Sequence, residues 1–213
     1  ELAPYDEAVL QREMALLPDW FLARHLQIEL TSEEQQALDA ARALLVAESL
    51  AQPTVFVHRD YHSRNLMVLP ERGPGVIDFQ DALAGPVGYD LASIFKDCYI
   101  RWPRERVETW VLAHRQALRR QGASTLAGAS DAEFLRWFDL VSVQRHLKIL
   151  GIFARLWWRD GKSGYLADLP LTVEYLQDSC ARYAELAPLG TWLQQQVTPQ
   201  LAAAHARALA DRS

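Results

Sequence analysis

A mainly α chain with one small β-hairpin is the fold class that the sequence predicts, and three observations carry it. Apolar residues recur at helical spacing along most of the chain, three short β-branched or aromatic runs fall together between residues 54 and 79, and a stretch of turn chemistry separates the last two of them. At 213 residues, 50% hydrophobic and 23% charged, the chain lies in the globular range and can bury a core.

Residues 1–50 read as helix. Thr31 followed by Glu34 has capping-box spacing, and Leu38, Ala41 and Leu45 then supply an apolar face up to about Ala51. Ser130 and Glu133 repeat that signal before a longer run through Phe134, Phe138, Val141, Leu147, Leu150, Phe153 and Leu156, which Asp160 and Gly161 end. Residues 103–121, 170–186 and 191 to the end are further helical candidates. The exceptions are runs at 54–57, 66–69 and 75–78. Between the second and third lie Pro70, Glu71, Arg72, Gly73 and Pro74, which suit a hairpin turn. With no internal repeat and no long linker, residues 1–213 are expected to form one domain.

A formal charge of -5 without a Lys/Arg run argues against nucleic acid as a partner. No segment resembles a signal peptide and no apolar stretch reaches the roughly 20 residues that span a bilayer, so a cytoplasmic protein without membrane contact is expected. Cys98 and Cys180 each sit in a helix-like stretch far apart in sequence, and reduced thiols are expected.

The chemistry concentrates between the first short strand and the hairpin, in His58, Arg59, Asp60, Tyr61, His62, Ser63, Arg64 and Asn65, with Ile77, Asp78 and Phe79 on the return strand. Antiparallel pairing would bring Asn65 and Asp78 out at the same end of the hairpin. One amide and one carboxylate suit Mg²⁺, which takes few protein oxygens and fills its octahedron with water and phosphate. Asp60, in the same loop as Asn65, is placed to accept the proton of an attacking hydroxyl. A hydrolytic metal centre built on His58, Asp60 and His62 is a rival, but it lacks further ligands at metal spacing and leaves Asn65 without a task.

His58 to Asn65 matches the kinase catalytic-loop pattern of His, any residue, Asp, four residues, Asn, and Asp78-Phe79 stands where the metal-binding Asp of the next segment belongs. With His62 two residues after Asp60, and Gly88-Tyr89-Asp90-Leu91-Ala92 following, the chain resembles the aminoglycoside phosphotransferase and choline kinase superfamily. The stretches Ile77-Asp78-Phe79-Gln80-Asp81-Ala82, Gly85-Pro86, Lys96-Asp97-Cys98-Tyr99, Gln144-Arg145-His146-Leu147-Lys148 and Tyr165-Leu166-Ala167-Asp168-Leu169-Pro170 are similar to bacterial kinases of the anomeric hydroxyl of N-acetylmuramate and N-acetylglucosamine.

That resemblance implies the C-terminal lobe of a protein-kinase-like α+β fold, with ATP as donor, Mg²⁺ on Asn65 and Asp78, and an amino sugar as acceptor in cell-wall recycling. His58, His62 and Asp90 would support the site, His62 standing between scaffold and active-site edge, while Asp90 also has the plain reading of a helix N-cap. Glu13, Trp20, Asp81, Arg145 and His146 are acceptor-binding candidates, Arg145 as the cation for a lactyl carboxylate. Gln144, Lys148 and Arg155 also fit the wet stripe of a buried helix, and Trp157 and Trp158 fit a core.

The family's β-rich nucleotide lobe, with its phosphate-covering loop and lysine, has no counterpart before Asp60, so these 213 residues alone are expected not to turn over. Two other functions stay open. An aminoglycoside or amino-alcohol kinase would share every catalytic motif, and a noncatalytic ligand-binding module would not need its base.

Overall fold

A computed structural model of the chain describes residues 2–71, 73–122 and 128–211. Helix α1 (Glu7–Met14), a π-helical segment (Leu17–Leu26) and α2 (Ser32–Leu50) come first. Strand β1 (Thr54–Val57), a 3-10 turn (Ser63–Asn65), β2 (Leu66–Met67), β3 (Gly75–Val76) and β4 (Leu83–Pro86) follow. Then come α3 (Tyr89–Phe95), α4 (Arg104–Arg120), α5 (Asp131–Asp160), α6 (Leu169–Cys180), α7 (Ala187–Trp192) and α8 (Thr198–Ala210). Among the described residues no helix is long and apolar enough to cross a membrane. Contacts gather the described residues into two compact units, one within 1–7 and 47–145, the other within 8–46 and 146–213.

The first unit contains both sheets. Strands β2 and β3 pair antiparallel, Leu66 opposite Val76 and Met67 opposite Gly75, which is the expected hairpin. Its strands are shorter than the 66–69 and 75–78 runs, and Arg72 of its turn lies outside the described residues. Strand β1 takes a partner that the sequence did not announce: β4 runs antiparallel to it from Thr54 opposite Pro86 to Val57 opposite Leu83. The chain start joins this sheet, with Tyr5 N–H donating to the Ala84 carbonyl at 2.7 Å and Ala84 N–H to the Ala3 carbonyl at 2.9 Å. Only glycine permits that approach at position 85, because a Cβ there would stand 2.8 Å from the Tyr5 Cβ.

Helix α5 starts as its capping signal predicts, with Glu133 N–H donating to Ser130 Oγ at 3.2 Å, and buries Phe134, Phe138 and Val141. It also buries Asp139, which accepts from Lys96 Nζ at 2.9 Å and from Arg104 Nη1 and Nη2 at 2.5 and 2.9 Å. One carboxylate therefore ties down both ends of the segment joining α3 to α4.

In the second unit the Thr31 capping box forms in full. Thr31 N–H donates to Glu34 Oε2 at 2.8 Å, and Glu34 N–H donates back to Thr31 Oγ1 at 3.3 Å. The helix expected over 170–186 stops at Cys180 and resumes as a 3-10 turn at Ala184–Leu186. Residues 212 and 213 of the last helical candidate lie outside the described residues. The wet-stripe reading of Gln144 and Lys148 is overturned, since both are buried. Lys148 Nζ meets Glu13 Oε1 at 2.9 Å, and that pairing is what permits a lysine to leave water.

His25 is also buried, its ring stacked on Phe21 at 6.0 Å, and neither ring nitrogen finds a hydrogen-bond partner among the described residues. Burial, with the His205 and Arg207 charges, lowers its pKa to about 4. The unfolded chain protonates this ring near the ordinary value of 6.5 and the folded chain resists until about 4. Stability from neutral His25 is therefore complete above pH 6.5 and lost as pH falls towards 4, by about 3 kcal/mol. Urea unfolding between pH 7.5 and 4.5 is expected to show a shallower decline for His25→Phe than for the native chain, and parallel declines would refute the assignment.

Candidate active site

The loop from His58 to Asn65 leaves β1 and is held by α3. His58 N–H donates to Asp90 Oδ2 at 2.7 Å and Arg59 N–H to Asp90 Oδ1 at 3.1 Å, so one carboxylate clamps two successive amides. Arg59 has φ 74°, a left-handed conformation costing a side-chain-bearing residue roughly 1–2 kcal/mol, and the clamp offsets that strain. Ser93 Oγ–H reaches the Arg59 carbonyl at 3.3 Å, and Arg59 Nη1 reaches the Asp81 carbonyl at 3.2 Å. Burial raises the Asp90 pKa, against the lowering effect of the two amides. Gly88, not Asp90, occupies the N-cap of α3; Asp90 lies within the first turn and spends its oxygens on the loop.

The His58 ring is buried edge-on to Tyr61 at 6.0 Å and makes no hydrogen bond with the described residues. Its backbone, not its imidazole, is what the loop uses.

Asp60 is half-buried and its carboxylate accepts no hydrogen bond from any described residue, while its main-chain carbonyl accepts from His62 N–H at 3.0 Å and Asn65 Nδ2 at 2.9 Å. The backbone is fixed and the acid is left for something else. Because a carbonyl can only accept, the Asp60 contact fixes which end of the Asn65 amide is nitrogen.

Asn65 Nδ2 also lies 3.3 Å from Asp78 Oδ2, so antiparallel pairing does bring the two ends of the hairpin together. Asp78 has φ 71° and takes a hydrogen bond from Gln80 Nε2 on Oδ1 at 2.8 Å. Asn65 turns its Nδ2 to Asp78, and the Asn65 Oδ1 and the Asp78 carboxylate are oxygen donors of a kind that Mg²⁺ would take. Among the described residues no three His, Cys, Asp or Glu side chains come together as a metal group, so the donor set of a histidine-based hydrolase is not assembled there.

His62 is half-buried, and burial lowers its pKa, with Asp97 and Asp60 acting to raise it and Arg145 and Arg64 to lower it. Arg145 is only 5% exposed and its Nη1 meets no hydrogen-bond partner among the described residues. Its charge reaches the Asp90 carboxylate, whose pKa it acts to lower. Asp81 is exposed.

The remaining candidates belong to the second unit: Glu13 in its ion pair with Lys148, Trp20 half-buried on the π-helical segment, and His146 buried and stacked on Tyr175 at 5.2 Å. The sequence names Ser63, Asp97 and Tyr99 within their stretches but gives none of them a task of its own. The Lys96-Asp97-Cys98-Tyr99 stretch was a signal of likeness only, and no spacing assigned it a task.

The chain is 51% identical over 196 residues to the N-acetylmuramate/N-acetylglucosamine kinase of Pseudomonas aeruginosa, covering 90% of this chain and 56% of that protein. It is 47% identical to the protein of that name from Neisseria meningitidis, covering 88% and 55%, and 45% identical to that from Pseudomonas putida, covering 89% and 55%. The chain thus spans about half the length of the curated relatives it matches. Residues 3–147, which contain Asp60, Asn65, Asp78 and Asp90, match the phosphotransferase enzyme family, and the chain belongs to that family.

Proposed function

We propose that the chain is the catalytic, C-terminal lobe of a cytoplasmic kinase that transfers the γ-phosphoryl group of ATP to the anomeric hydroxyl of N-acetylmuramate or N-acetylglucosamine, in the recycling of cell-wall sugars. The observation that supports it best is the free carboxylate of Asp60 beside an Asn65–Asp78 pair 3.3 Å apart. In this reading all 213 residues serve one lobe, and the phosphate-covering loop and its lysine come from residues outside them. Held by the Asn65 amide oxygen and the Asp78 carboxylate, Mg²⁺ would supply charge neutralisation at the phosphates. Asp60 orients the acceptor hydroxyl and takes its proton as the new O–P bond forms and the bond to the β-phosphate oxygen breaks, releasing ADP. An anomeric hydroxyl is more acidic than an ordinary alcohol, which eases the demand on that base.

Arg145 is the cation we assign to the lactyl carboxylate of N-acetylmuramate, supported by its burial without a hydrogen-bond partner among the described residues. ADP release by the full-length protein with Mg-ATP and N-acetylmuramate, N-acetylglucosamine, choline or an aminoglycoside tests the whole reading. Turnover of the two amino sugars is expected, and Arg145→Ala is expected to lower kcat/KM for N-acetylmuramate by about ten-fold or more while affecting N-acetylglucosamine less, since a hydrogen bond to a charged group contributes about 1.5–3 kcal/mol. Equal losses would remove the assignment of Arg145. Turnover of choline or the aminoglycoside alone would replace the acceptor, and sugar binding without turnover would favour a binding module.

A further inference from the structure

Three consecutive residues of the loop carrying Asp60 and Asn65 are gripped by one short segment, residues 97–99, between α3 and α4. Ser63 donates to Asp97 Oδ2 twice, from its backbone N–H at 3.4 Å and from Oγ at 3.1 Å. The Arg64 guanidinium lies 3.5 Å over the Tyr99 ring, and the His62 ring meets Tyr99 edge-on at 5.9 Å. Asp97 itself is 2% exposed, and its other oxygen accepts from the Cys98 thiol at 3.6 Å. A carboxylate that deep requires donors, and two of its donors belong to the loop.

The placement has a local logic. Ser63 opens the 3-10 turn Ser63–Asn65, and the first amide of such a turn has no partner within it. No side chain at its N-cap, His62, supplies one, so Asp97 does so from 34 residues away. Asn65 closes the same turn, its N–H on the His62 carbonyl at 3.0 Å. The gripping segment is itself anchored on both sides, since Lys96 before it and Arg104 after it both bond to buried Asp139.

We propose that Asp97 is a positioning residue for phosphoryl transfer: by capping the turn at Ser63 it sets where Asn65 stands beside Asp78, and so how tightly the pair holds a divalent cation. The proposal rests on the reading of Asn65 and Asp78 given above. Mn²⁺ affinity, followed by water-proton relaxation in the full-length protein alongside thermal unfolding and steady-state kinetics, tests it without depending on turnover.

Asp97→Ala is expected to weaken Mn²⁺ binding and lower kcat by about ten-fold, the low end of the range for direct partners of metal ligands, because Asp97 acts through Ser63. The acceptor KM should stay within about three-fold. Ser63→Ala, at an exposed position, is expected to act in the same direction to a smaller degree without changing the unfolding temperature. Asp97→Asn keeps an oxygen for Ser63 and is expected to restore most of both losses. If Asp97→Ala and Ser63→Ala leave Mn²⁺ affinity unchanged while Asn65→Ala and Asp78→Ala abolish it, the proposal is overturned and the metal reading stands. Should Asn65→Ala and Asp78→Ala also leave it unchanged, the metal reading fails and takes the proposal with it. Where Asp97→Ala does not fold, Ser63→Ala and Asp97→Asn decide.

Discussion

Asp60→Asn in the full-length protein is expected to lower kcat by about a hundred- to ten-thousand-fold, the span that a positioned general base contributes. The substitution is nearly isosteric, and the bonds that Asp60 makes inside the loop run through its main-chain carbonyl to His62 and Asn65, which an asparagine keeps. Unfolding temperature and nucleotide affinity should therefore hold while turnover collapses. The carboxylate meets no donor among the described residues, so its removal orphans nothing in the fold. Retention of activity within about three-fold would show that the acceptor hydroxyl loses its proton elsewhere.

The second large effect is on stability. Asp139→Ala is expected to destabilise the chain by about 3–5 kcal/mol, the cost of leaving buried charge without its partner. Asp139 is fully buried and bonds to Lys96 once and Arg104 twice, so its loss takes this anion from two cations together. Burial pushes its pKa up, but the Lys96 and Arg104 charges outweigh that and hold it below the usual carboxylate range. The stability this group supplies is complete above the ordinary aspartate range and is lost as pH falls through the lower folded value. Urea unfolding at neutral pH reads the effect directly. A loss below about 1 kcal/mol would place the triad among pairs of little consequence.

Local signals read well from the sequence. Both helix caps, at Thr31 and Ser130, lie where side-chain spacing put them, because a cap is decided within four residues. The meeting of Asn65 with Asp78 followed from pairing geometry alone. What escaped was decided at a distance. Leu83, Ala84, Gly85 and Pro86 carry two strand breakers and pass for a loop, yet they pair with β1 because Tyr5 packs where Gly85 has no side chain. Lys148 looked like a solvated residue until Glu13, far away in sequence, neutralised it. Asp97 could not be distinguished from any other acidic residue after a helix, since its task is set by Ser63.

The grip of Asp90 and Asp97 on residues 58, 59 and 63 has a consequence for inheritance. Residues 58–65 read as a compact signature, but the instructions for their shape are written some thirty positions downstream. Transplanted alone into another scaffold, the eight-residue signature would keep its spelling and lose its conformation. The exchangeable unit runs from β1 through at least Tyr99, with Asp139 as its anchor, and recombination that splits it separates the signature from the frame that shapes it.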